Sequence, residues 1–195
     1  MKSNKEQVDT IIYGGAFNPP TRAHQAILQA CVDRAEHTGA DVWLLPSGSR
    51  TDKTIEVTRE DRLRMLDALI GDVLTRVVAV HVDTSELDRT SRTETYETVT
   101  QMSLLHADRR FIWVFGSDSV ETMHEWQRGE WLLDNLPMLI VERPGTPMRA
   151  VGRHATRLEV NTPATSSTDV KRLIAARQPI DHLVPPKVLE LITPR

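Results

Sequence analysis

The chain has 195 residues, of which 39% are hydrophobic, and its 24 Lys and Arg stand against 27 Asp and Glu for a formal net charge of −3. This length and composition predict one globular domain over residues 1–195 with a sizeable core. The slightly acidic balance argues against a nucleic acid polymer as partner, because domains that bind one are usually basic.

Strand-like and helix-like segments alternate along the chain. Strands are predicted over residues 10–13, 42–46, 77–82, 111–115, 138–141 and 158–160. One helix is predicted with His24 in its first turn and a stop at Gly39, and a second after an N-cap at Thr58, to residue 70. Further helices are predicted over residues 93–105, 169–176 and 186–192. Helical connections of ten or more residues imply right-handed crossovers and a parallel sheet covered on both faces. We therefore expect an α/β fold, a Rossmann-like doubly wound sheet with a small C-terminal helical part. Its ligand should lie beyond the carboxyl ends of the strands, where strand order reverses.

The first predicted strand runs into Gly14-Gly15-Ala16-Phe17-Asn18-Pro19-Pro20-Thr21-Arg22-Ala23-His24 and then into a helix. Glycines let the backbone approach a ligand closely, and a helix N-terminus offers N–H groups and partial positive charge to phosphate. The His24 imidazole can donate to oxygens whose negative charge grows during a transfer reaction, and Thr21 can add a hydroxyl donor. Taken alone, His24 is equally consistent with capping the apolar face of the helix.

A second segment with the same chemistry lies near the C-terminus, in Thr165-Ser166-Ser167-Thr168-Asp169-Val170-Lys171-Arg172. Its hydroxyls and amides begin another predicted helix, which is a second place for phosphate. Lys171 and Arg172 are consecutive, and consecutive helical residues point about 100° apart, so only one of them is expected to reach the phosphates. An ordinary capped surface helix is the alternative.

Further polar or aromatic residues follow other predicted strands. Lys53 lies in the loop after the second strand, and Asp118 follows the fourth in Gly116-Ser117-Asp118. A carboxylate at that position can accept hydrogen bonds from ribose hydroxyls, although it can equally cap the next helix. Trp126 follows in Glu125-Trp126-Gln127, where core packing is one interpretation of such a large aromatic side chain.

Together these segments resemble the nicotinate-nucleotide adenylyltransferase family of the nucleotidyltransferase superfamily. The glycine segment resembles G-G-x-F-[DN]-P-x-[HT]-x-G-H, and the late segment resembles I-S-S-T-x-x-R. The segments that begin at Glu86 and Thr95 resemble E-L-x-R and S-Y-T-x-x-T. The resemblance implies adenylyl transfer from ATP to a pyridine mononucleotide, with Mg²⁺ carried by ATP and no dedicated metal site on the protein.

The resemblance also assigns roles to individual positions. It implies catalytic roles for His24, Thr21, Lys53, Lys171 and Arg172. It implies ATP binding by Gly14, Gly15, Ala16, Phe17, Ser166, Ser167 and Thr168. It implies binding of the acceptor by Tyr96, Glu97, Gly116, Asp118, Trp126 and Arg143.

Four positions depart from the family pattern: Thr21 replaces the usual His, Ala23 replaces Gly, Glu97 replaces Thr and Lys171 replaces Arg. A buried Glu97 would repel a nicotinate carboxylate, so it either points to solvent or indicates a neutral base such as nicotinamide. The departures leave open transfer to another phosphate, such as phosphopantetheine or a cytidylyltransferase substrate, and a non-catalytic nucleotide-binding relative. Length, the Trp126 segment and Arg143-Pro144-Gly145 favour the pyridine branch.

Three other residues are predicted to have structural roles. Cys31 falls on the apolar stripe of the first helix and is expected to be a buried small side chain. Arg62 is interpreted as a helix-surface or packing residue, and Trp131 as a core residue.

The polar first residues and the absence of a long apolar run predict a cytoplasmic protein with no membrane partner. Oligomeric state stays open, a homo-oligomer included.

Overall fold

The computed structural model describes residues 7–48, 57–75, 77–89, 94–143, 145–147 and 152–192. Its strands are β1 (Val8–Gly15), β2 (Asp41–Pro46), β3 (Val80–Val82), β4 (Arg109–Gly116), β5 (Met138–Val141) and β6 (Ala155–Arg157). They form one sheet in the order β3-β2-β1-β4-β5-β6, and every neighbouring pair is parallel. The predicted α/β doubly wound sheet is confirmed.

The helices are α1 (Arg22–Thr38), α2 (Arg59–Gly71), α3 (Thr95–Leu105), α4 (Ser117–Glu121), α5 (Gly129–Asn135), α6 (Ser167–Ala175) and α7 (Pro186–Ile192). A single 3₁₀ turn, Met123–Glu125, lies between α4 and α5. In the part of the chain that the structure describes, none of these helices combines the length and apolar character that crossing a bilayer requires.

Side chains that alternate along the central strands fill two cores, one on each face of the sheet. Ile11 and Leu44 pack with α1 residues such as Cys31, whereas Ile12 and Trp43 pack on the opposite face. Because β1 and β2 are buried on both faces, their sequences are continuous apolar runs and do not alternate between apolar and polar residues. Cys31 is fully buried as predicted, and this burial raises the pKa of its thiol.

The outer strands differ from their predicted positions. The last strand is Ala155–Arg157, three residues before the predicted 158–160, and β3 begins at Val80 rather than at 77. β6 is a partly exposed edge strand with polar residues, so it carries no apolar pattern. The apolar signal came instead from Leu158, which is buried just after the strand ends.

The two short helices α4 and α5 were not predicted. They have only five and seven residues, which is too short for a helical repeat of apolar positions to stand out. They form part of the connection from β4 to β5, on one side of the expected ligand site at the carboxyl edge of the sheet.

Candidate active site

Strand order reverses between β1 and β4, and a cavity of about 600 Å³ opens at their carboxyl ends. This is the position at which open α/β sheets bind ligands, and the volume suits a small-molecule site. The cavity wall includes the following sequence-predicted residues: Gly14, Gly15, Ala16, Phe17, His24, Gly116, Asp118, Trp126, Arg143, Ser166, Ser167, Thr168 and Lys171. Thr21, Tyr96, Glu97 and Arg172 are not part of the wall, and Lys53 lies outside the described residues.

The starts of α1 and α6, more than 140 residues apart in sequence, are bonded to each other. The Ser167 hydroxyl donates to the Pro19 carbonyl at 2.8 Å, and the Ala23 N–H donates to Thr165 Oγ1 at 3.3 Å. Two segments with phosphate-binding chemistry therefore face one cavity. We call residues 14–24 and 165–171 together the anion cradle.

His24 is oriented by the first turn of its own helix. The Thr21 N–H donates to His24 Nδ1 at 2.9 Å, and the Thr21 hydroxyl lies 2.8 Å from the same nitrogen. Because Nδ1 accepts a backbone hydrogen bond, the proton of the neutral ring is on Nε2. The Phe17 ring, with its centroid 5.1 Å from that of His24, supports the imidazole from the side.

The Thr21 side chain does not line the cavity, where its predicted role would place it. Its side chain is fully buried as the N-cap of α1 and contacts the imidazole rather than the cavity. In this structure its hydroxyl lies against His24 Nδ1 and not at the cavity wall.

The N-terminus of α1 does not offer the open N–H groups that its sequence suggests. The Arg22 N–H donates to the Leu183 carbonyl at 2.8 Å, and the Ala23 N–H is taken by Thr165. Thr21 and His24 form a capping box at this helix start, in which the Thr21 N–H donates to His24 Nδ1. In this half of the cradle, the groups at the cavity wall that can donate to an anion are those of the glycine loop and the imidazole.

At the start of α6 the two serine hydroxyls are already hydrogen-bonded within the protein, whereas the first backbone N–H groups can still act as donors. Ser166 is the N-cap, and its hydroxyl accepts from the Asp169 N–H at 3.1 Å while Ser167 bonds Pro19. The first helical N–H groups, those of Ser167 and Thr168, have no partner within a helix by geometry. They are the donors that α6 can present to an anion.

Lys171, and not Arg172, faces the cavity. Lys171 forms part of the wall, whereas the Arg172 side chain is 73% exposed and pairs with Asp169 at 3.2 Å. This resolves the choice that the sequence left open, since the two side chains point in different directions from the helix.

The opposite wall of the cavity is built at the end of β4. Asp118 is the second residue of α4, and Gly116 occupies the N-cap position, so Asp118 is not the helix cap. Its Oδ1 lies 3.8 Å from Nε of Arg143, which follows β5. A Cβ at Gly116 would lie 2.3 Å from this Asp118 oxygen and 3.0 Å from Arg143 Nε, so a side chain at this position would displace the Asp118 carboxylate.

Trp126 and Trp131 lie in different environments. Trp126 lines the cavity and packs edge-on against Phe115, with ring centroids 6.1 Å apart. Trp131 is 43% exposed and stacks edge-on against Tyr96, so the prediction that it is a core residue is wrong.

Glu97 points to solvent, where its carboxylate accepts a 3.5 Å hydrogen bond from Gln127. A second carboxylate of the wall, besides that of Asp118, belongs to Glu86, which is buried and accepts from the Thr98 hydroxyl at 2.7 Å. Glu86 and Thr98 stood within recognised motif segments but had no predicted role. Only the fold shows that they meet at the cavity.

Comparison with known proteins agrees with this architecture. A family described as cytidylyltransferase-like matches residues 12–173. A relative from Geobacillus thermodenitrificans named "Probable nicotinate-nucleotide adenylyltransferase" is 32% identical over 176 residues, covering 89% of this chain and 78% of the relative. One of the same name from Exiguobacterium sibiricum is 27% identical over 183 residues, covering 93% and 94%.

Solved structures share the fold. The Plasmodium falciparum nicotinic acid mononucleotide adenylyltransferase complexed with NaAD matches with a TM-score of 0.77 at 20% identity, over 95% of both chains. The same protein complexed with APC matches with a TM-score of 0.75 at 18% identity, over 95% of this chain and 94% of the other. The chain therefore belongs to the cytidylyltransferase-like family of nucleotidyltransferases and, within it, to the nicotinate-nucleotide adenylyltransferases. The family and enzyme class expected from the sequence are confirmed.

Proposed function

We propose that this protein transfers the adenylyl group of ATP to nicotinate mononucleotide, forming the dinucleotide and releasing pyrophosphate, as a step of NAD biosynthesis. The observation that carries the proposal is the convergence of the two halves of the anion cradle on one cavity, opposite Asp118 and Trp126. Relatives that bear this enzyme name support the choice of reaction.

The residues of the cradle suit a transfer without a covalent enzyme intermediate. The acceptor phosphate attacks the α-phosphorus of ATP, and the bond from that phosphorus to the pyrophosphate oxygen breaks. The glycine loop, the N–H groups at the start of α6 and Lys171 hold the triphosphate, and the His24 Nε2–H donates to its oxygens as negative charge develops. Catalysis then comes from holding two phosphates in line and from stabilising charge.

The opposite wall suits a pyridine mononucleotide. Trp126 provides a face for the heteroaromatic ring, and the Asp118 carboxylate accepts from ribose hydroxyls. Gly116 leaves room for the Asp118 and Arg143 side chains to approach one another, and Arg143 adds positive charge for the acceptor phosphate. Glu97, which was the reason to prefer a neutral base, is exposed and outside the cavity wall, so it gives no ground against a nicotinate carboxylate.

Mg²⁺ enters this proposal as part of the substrate MgATP. The described residues contain no group of three or more His, Cys, Asp or Glu side chains able to hold a metal ion. The triphosphate oxygens are themselves hard ligands of the kind that Mg²⁺ prefers. We expect the reaction to take place in the cytoplasm, where ATP is available.

The direct test offers the purified protein MgATP together with nicotinate mononucleotide, nicotinamide mononucleotide or phosphopantetheine, and records pyrophosphate release. We expect the highest kcat/KM with nicotinate mononucleotide. A preference for the amide would change the acceptor but not the reaction class. Turnover with phosphopantetheine alone would refute the proposal, and binding of ATP with no release for any acceptor would support a non-catalytic relative.

A further inference from the structure

Arg62 is a buried cation next to the anion cradle. It lies in the first turns of α2, its residue is only 3% exposed, and it is not part of the cavity wall. The helix-surface interpretation of this residue is therefore wrong, and the packing interpretation is incomplete because the guanidinium has specific partners.

These partners are backbone carbonyls of two different loops. Arg62 Nη2 donates to the Ala16 carbonyl at 2.9 Å and to the Ser47 carbonyl at 2.8 Å. Ala16 belongs to the glycine loop, and Ser47 begins the loop after β2; both line the cavity. One nitrogen thus clamps together two segments of the wall.

The clamp acts on the peptide planes that face the ligand site. A trans peptide carries its C=O and N–H on opposite sides, so a donor that holds the Ala16 carbonyl also sets the direction of the Phe17 N–H. The same holds for the Ser47 carbonyl and the Gly48 N–H. Phe17 moreover has a φ of 47°, a conformation that non-glycine residues adopt only when their surroundings impose it.

The charge of Arg62 is not matched by a carboxylate among the residues that the structure describes, since both of its bonds go to carbonyls. Burial lowers the pKa of its guanidinium, yet an arginine stays protonated. A partly desolvated positive charge behind the wall attracts anions over a longer range than an exposed one.

We propose that Arg62 is a positioning residue for adenylyl transfer: it holds the glycine loop and residues 47–48 after β2 in the geometry that aligns the triphosphate. This inference rests on the proposed function. It concerns a residue that does not touch substrate, so its effect should fall on kcat and much less on acceptor binding.

The test compares Arg62→Met and Arg62→Lys with the same changes at Arg64. Arg64 lies on the same helix, but its side chain is 62% exposed and pairs with Glu60 at 2.6 Å. We expect Arg62→Met to lower kcat by about tenfold or more while KM for nicotinate mononucleotide stays within about twofold. Arg62→Lys should recover part of the loss, because an ammonium keeps the positive charge and the N–H donors but lies one bond closer to the backbone than Nη2. Both Arg64 variants should match the wild type.

Amide hydrogen exchange supplies a readout that does not depend on turnover. We expect faster exchange at residues 14–18 and 47–48 in Arg62→Lys, with exchange in the core of β4 unchanged. If Arg62→Met does not fold, the kcat and the hydrogen exchange of Arg62→Lys are sufficient to test the proposal. Equal kcat in the Arg62 and Arg64 variants, or exchange that rises uniformly over the protein, would overturn the proposal. A wild type without turnover would refute the proposed function. The exchange experiment would still test whether Arg62 holds the Ala16 and Ser47 segments in place.

Discussion

Replacing His24 by alanine tests the central element of the proposed mechanism. The change removes a donor from the cavity wall and also removes the acceptor of the Thr21 N–H at Nδ1. Loss of one preorganised donor to a developing negative charge typically lowers kcat by about 10²–10³, or about 3–4 kcal/mol. Loss of one capping interaction costs about 1 kcal/mol, which corresponds to a Tm decrease of about 2–4 °C in a protein of this size. We therefore expect a large loss of activity in a folded protein.

The assay is pyrophosphate release at saturating MgATP and nicotinate mononucleotide, with Tm measured on the same preparations. Thr21→Val is the matched control, since it removes the hydroxyl near Nδ1 but keeps the backbone N–H that orients the ring. We expect this control to retain activity within about tenfold of the wild type, because the donor in the cavity remains. A His24→Ala variant that turns over within about threefold of the wild type would remove His24 from the mechanism. An equal loss in Thr21→Val would show that catalysis needs the Thr21 hydroxyl as much as the imidazole, contrary to the view that the backbone N–H alone orients the ring.

The remaining predictions concern other walls of the site and the core. Lys171→Ala should lower kcat by about tenfold or more, whereas Arg172→Ala should stay within about twofold, when both are measured by steady-state kinetics; equal effects would contradict the orientation of α6. Asp118→Ala should raise KM for the mononucleotide by about tenfold or more, because a charged acceptor of ribose hydroxyls is lost, and an unchanged KM would remove it from the acceptor site. Glu97→Gln, at an exposed position, should leave KM for nicotinate mononucleotide within about twofold, and a large decrease in KM would show that its charge does reach the acceptor. Cys31 should resist a thiol reagent at pH 8 in the native protein and react once unfolded, because burial raises the pKa of its thiol and so disfavours the reactive thiolate; rapid native labelling would contradict that burial.

Several features of this protein follow from local sequence patterns. The apolar runs that precede Gly14, Pro46 and Gly116 predict buried parallel strands, and the helical spacing of residues such as Ile27 and Cys31 predicts α1. Both depend on the backbone repeat and on side-chain polarity, which a short segment carries by itself. Polar side chains placed just after such strands predict that the ligand site lies at the carboxyl edge of the sheet.

The tertiary structure determines which of these polar groups reach the cavity and which are hydrogen-bonded elsewhere. Lys171 rather than Arg172 reaches the cavity, the N–H groups at the start of α1 are taken by Leu183 and Thr165, and Trp131 lies at the surface. Each outcome depends on contacts between segments that are far apart in the chain. Such contacts are set by how helices and loops pack on the sheet, and no local pattern encodes that packing, so composition and spacing alone leave the direction of an individual side chain open.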